Sequence, residues 1–135
     1  MAPHVLIPTN SLFAFLAKSL AADTPTGVYK YMALGTGTGQ TATNSTLKVE
    51  TTVSGLARAE GTKTTLKTTV SNDTAQLTKA FTSAGATTNV TEVGSFENAT
   101  LDKGTMGLYG TFSSAIPIES GDKITPTLQC QFLLK

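Results

Sequence analysis

Tryptophan is absent, and the 135 residues include one cysteine and one histidine. The lone Cys130 excludes an intrachain disulfide, and its place on the apolar face of the last strand reads as a small core side chain, not a nucleophile. With His4 as the only imidazole, neither a Cys/His ligand cluster nor a Ser-His-Asp triad is expected. Charge is scarce too: 14% of residues are Asp, Glu, Lys or Arg, against roughly 25% in an average soluble protein. Ten basic and nine acidic side chains leave a net charge of +1, and no run of one sign supplies the basic patch of a nucleic-acid binder. The carboxylates stand singly, mostly in turns, where acids are normally solvated, so a glycosidase pair is not expected. Apolar runs fall far short of the ~20 residues that span a bilayer, and residues 1–8, without Lys or Arg, are not expected to be a signal peptide. These absences predict a protein with no catalytic residue, no metal and no cofactor, binding neither nucleic acid nor membrane.

Threonine fills the gap, at about one residue in five. Being β-branched and stiff, it suits the outer face of a pleated sheet, and its uncharged hydroxyl is cheaper to desolvate than an ion. The last thirty residues organise the rest. Thr105–Phe112 reads as a strand, Glu119–Lys123 as a polar turn and Leu128–Leu134 as a final strand, with Leu128, Cys130, Phe132 and Leu134 on one face. That face is expected in the core, in a strand near the middle of its sheet.

Upstream, Asn10 is placed to cap a helix whose Leu12, Phe13, Leu16 and Leu20 share one side; Phe15 lies off the stripe, so either the helix is covered on two sides or Phe15 meets a partner. Val28–Leu34 reads as a strand. Gly35-Thr-Gly-Thr-Gly39 fails the G-x-G-x-x-G spacing at Gln40 and lacks Gly-Lys-Ser/Thr, so a flexible surface loop is expected there, not a phosphate site. Residues 45–51 suggest a helical turn. Leu56–Thr69 alternates as one long strand, Ser71–Asp73 turns it, and Thr74–Phe81 returns as a hairpin. Val90–Phe96 is the next strand. The fold class is all-β: a single-domain antiparallel sandwich or jelly roll with one short N-terminal helix.

Residues 1–10 form an extended arm ahead of a β domain at 11–135. Pro3 and Pro8 bracket Val5, Leu6 and Ile7, which favours a stiff, extended conformation. The arm either pairs with its own sheet or straps a neighbouring subunit; the strap is the expectation taken forward. Arg58, the sole arginine, is either paired with a carboxylate or loop carbonyls, or anchors a subunit contact. The residues expected at a partner interface are therefore Val5, Leu6, Ile7, Phe15 and Arg58. Asn44, Asn72, Asn89 and Asn98 begin N-x-Ser/Thr triplets, which a threonine-rich chain produces by chance.

Three stretches in order carry a resemblance: Leu12–Leu20 with Tyr31-Met-Ala-Leu-Gly-Thr-Gly37; Val53-Ser-Gly-Leu-Ala-Arg58; and Val93-Gly-Ser-Phe96 with Tyr109-Gly-Thr-Phe112 and Gly121-Asp122. Over nearly its whole length the chain resembles small virion structural proteins of tailed bacteriophages, the tail-fibre-like or head decoration proteins. It departs from them at Gly55-Leu-Ala, where a glycine-rich, aromatic approach to the arginine is expected. The resemblance implies a compact, non-enzymatic β domain made in the host cytoplasm that binds other virion proteins. Without repeats or heptads, decoration of the head exterior is the expected role, as a capsid cement protein bound to the major capsid protein and to copies of itself, in trimers. A tail or tail-fibre role is the first alternative. A carbohydrate-binding module is the second, weakened by the lack of Trp and by Tyr29, Tyr31 and Tyr109 lying in stretches expected to face the core.

Overall fold

A computed structural model describes residues 5–21 and 28–132, excepting the side chains of residues 5, 6, 15 and 18–21. The chain builds an antiparallel β-sandwich. Its larger sheet has the order β1-β8-β7-β2-β3, from β1 (Val5–Pro8), β2 (Tyr31–Gly35), β3 (Ala59–Glu60), β7 (Thr88–Phe96) and β8 (Met106–Ile118). The smaller is β10-β5-β4, from β4 (Thr62–Leu66), β5 (Thr74–Thr78) and β10 (Thr127–Gln131), and β6 (Phe81–Thr82) pairs separately with β9 (Lys123–Ile124).

The helix α1 (Asn10–Ala21) holds neither Gly, Pro nor a β-branched residue, a composition that favours helix. Its cap is one residue earlier than the sequence suggests. Buried Thr9 accepts the Leu12 amide on its Oγ1, which itself donates to the Met106 carbonyl, so the cap also fastens the helix to β8. Leu12 is buried, but Phe13, expected beside it, is exposed. Leu20 lies outside the described side chains.

The N-terminal arm is corrected as well. Val5, Leu6, Ile7 and Pro8 pair with Thr111, Gly110, Tyr109 and Leu108; this stretch is the edge strand of its own sheet, not a strap across a neighbour. The long strand expected over Leu56–Thr69 is broken. Its first part, β3, stays in the large sheet and its second, β4, belongs to the small one. The chain crosses at Gly61, where a Cβ would stand 2.8 Å from both Leu77 Cδ1 and the Thr78 carbonyl. Residues 45–51 form no helical turn but bends leading to a bridge between Glu50 and Gly35.

Alternation along β2 explains the core. Met32 and Leu34 point between the sheets, where they meet Leu77, Phe81, Val90, Val93 and Leu128. Ala33 points the other way, joining Phe96, Met106, Tyr109 and Leu47 under the 36–50 loop. The large sheet is thus buried on both faces.

The final strand departs from expectation in two respects. Among the described residues it is an edge strand, paired with β5 alone, and it divides its apolar side chains. Leu128 is 0% exposed and Phe132 52%; Leu134 is outside the described residues. Leu128→Ala is therefore expected to cost ~2–5 kcal/mol, and Phe132→Ala about 1 kcal/mol or less, in urea melts of the dilute protein. Equal losses would show that Phe132 belongs to the core after all.

Candidate functional site

Of the residues expected at an interface, none supplies a described exposed side chain. Ile7 is half-buried against the Met106 and Tyr109 cluster, while the side chains of Val5, Leu6 and Phe15 lie outside the described set. Arg58 is turned inward. Its Nε and Nη2 donate to Glu50 Oε1 and Oε2 at 2.9 and 2.6 Å, with the two side chains 3% and 7% exposed. Its Nη1 reaches the carbonyls of Asn98, Thr100 and Lys103 at 3.0, 3.0 and 2.9 Å. The guanidinium also lies 3.7 Å over the Phe96 ring, where the ring's negative face attracts it. All of these partners are internal, so the anchor role offered for Arg58 is not carried forward.

The glycine run after β2 is also occupied from within. Glu92, 0% exposed on β7, accepts the amides of Gly37 and Val49 at 3.1 Å each, and Gln40 Nε2 at 3.0 Å. A Cβ on Gly37 would come within 2.7 Å of the same carboxylate oxygen. The loop expected to be flexible is pinned by an acid, which takes the amides that an anionic ligand would need.

Asp73 does similar work in the β4–β5 hairpin, taking the amides of Thr68, Thr69 and Val70 at 2.8, 2.7 and 3.0 Å. Burial pushes its pKa up, but these amides and the Gln131 side chain outweigh that and hold it well below the usual carboxylate range. A depressed pKa gives stability that is present above the unfolded value of ~3.9 and lost as pH falls through and below it. The melting temperature of the intact chain should therefore exceed that of Asp73→Asn at neutral pH, and the gap should close on acidification. A gap independent of pH would overturn this account.

With these polar groups satisfied internally, the candidate contact site that stands out is an apolar groove. A groove of about 620 Å³ opens between the two sheets beside the helix. Leu12 and Leu16 form its helical wall, and Tyr29, Ser95 and Leu108 line the large-sheet side. Leu77, Leu128, Cys130 and Phe132 form the small-sheet side, and Lys63 is the one charged residue on the lining among the described residues. Val28 and Phe132, 46% and 52% exposed, stand at this groove. Comparison of the chain with family models, curated proteins and solved structures found no match. The site therefore stands on its geometry. Burial raises the Cys130 thiol's pKa, in keeping with a side chain that forms part of the groove's apolar wall. Sequence reasoning placed Phe132 in the core because alternation reports which side chains share a face, not whether anything covers it. The usable signal was the lack of any charged residue from Ile124 to Leu134.

Proposed function

We propose that this chain is a non-enzymatic structural protein of a tailed-phage virion, a decoration protein that stabilises the head exterior by binding the major capsid protein and copies of itself. The observation that carries the reading is the apolar groove with Phe132 half out of it, on a domain whose Arg58, Glu50, Glu92 and Asp73 are bound internally. Such a domain is weakly charged and suited to permanent contact with protein. The resemblance in sequence supplies the virion. For a sugar-binding module a row of exposed aromatics is needed; among the described residues Tyr29 and Tyr31 are half-buried and Tyr109 is buried.

Labelled chain mixed with particles and imaged by electron microscopy tests the assignment. Label over the head supports it. Label at the tail replaces decoration by the tail role, and an absence of binding to any particle surface overturns both.

A further inference from the structure

We infer that the chain associates with a second copy of itself through the free edge of β10, the two strands running antiparallel about a two-fold axis. The inference does not rest on the assignment to a phage head. Phe132 N donates to the Asp73 carbonyl at 2.8 Å, and Lys79 N to the Pro126 carbonyl at 3.4 Å. In an antiparallel ladder with Leu128 opposite Leu77 and Cys130 opposite Ala75, the even-numbered residues thus turn their main-chain groups towards β5. Thr127, Gln129 and Gln131 turn theirs outward, where the sheet order places no further strand among the described residues.

An open row of N–H and C=O groups is a template for pairing, and proteins normally blunt it with charge, proline or brevity. The other edges of the two main sheets show those devices. β1 ends in Pro8, β3 has two residues and β4 carries Lys63. β10, Thr-Leu-Gln-Cys-Gln, has none of them. Gln129 and Gln131 are exposed, and no charged residue occurs between Ile124 and Phe132.

A second copy fits this edge for two reasons. Two uncharged antiparallel edges meet without repulsion, and a two-fold axis normal to the sheet keeps both apolar faces on the same side. The added strand, ~4.8 Å from β10, then brings a second set of Leu128, Cys130 and Phe132 side chains against the groove. Two three-stranded sheets become one of six. Because the edge meets itself, the contact closes at two copies, so the trimer suggested by the phage resemblance does not form through it.

Sedimentation velocity on the full chain, from low to high micromolar concentration, provides the test. The expected species is a dimer. Gln129→Lys, which sets two ammonium groups beside the axis, should weaken it by about tenfold or more in Kd, while Ser114→Lys, at an exposed position of β8 in the other sheet, should leave it unchanged. Gln129→Pro removes an outward N–H that β5 does not use and should act like the lysine variant; should it fail to fold, Gln129→Lys decides alone, with melting curves of the dilute variant confirming its fold. A monomer throughout, a trimer, or a dimer indifferent to Gln129→Lys would overturn the inference.

Discussion

Replacing Arg58 by alanine is expected to cost ~3–5 kcal/mol, because removing one member of a buried ion pair strands the other. Glu50 is left 7% exposed in its side chain with no cation, and the carbonyls of Asn98, Thr100 and Lys103 lose a shared donor. The fork is what matters. A lysine has the charge but not the planar array that serves Glu50 with two nitrogens and the loop with a third, so Arg58→Lys should recover only part of the loss. Urea denaturation of both variants measures the difference. A cost under ~1 kcal/mol for Arg58→Ala would show that the knot behaves as a surface pair.

The second large effect is expected from Gly55→Ala. Gly55 has φ +81, and a Cβ there would land on the Thr82 carbonyl oxygen. The clash cannot be relieved by a rotamer, since both partners are backbone and Ala84 N is tied to Ser54 O at 2.8 Å. Adding the left-handed penalty to the overpacking gives about 3 kcal/mol or more. Gly121 provides the control: its φ is +93, but the added Cβ meets open space, so Gly121→Ala should show only the conformational cost of ~1–2 kcal/mol. Similar losses at the two sites, in thermal or urea melts, would contradict the steric argument.

The sequence made some of these elements legible because their signals are local. The hairpin of β4 and β5, the apolar run of β2 and the turn before β9 follow from alternation and turn residues over short windows. Non-local choices were not readable. Nothing in Leu56–Thr69 announces that Gly61 moves the chain from one sheet to the other, since the reason lies in Leu77 and Thr78. Nor does the apolar character of Val5–Pro8 say which edge it will join. Arg58 illustrates both limits. Pairing with a carboxylate or with loop carbonyls was one of its two readings, and the structure shows both kinds of contact, yet Glu50 and the 98–103 carbonyls were indistinguishable from other acids and loops in the chain. In the same way Glu92 looked like a scattered carboxylate, because its amide partners arrive from the 37–49 segment.

The pairing of β1 with β8 sets the order in which the molecule can be made. On the ribosome, Val5–Pro8 finds its hydrogen-bonding partners only when Leu108–Thr111 has been synthesised, and β5 waits in the same way for Thr127–Gln131. Neither main sheet can be completed before both members of these pairs have been synthesised. Folding is therefore governed by distant loop closures, which places it among slow, millisecond-to-second folders. Until the last strand arrives, the nascent chain exposes the inner faces of both sheets, and the low charge that suits the finished surface gives the growing one little protection against its neighbours.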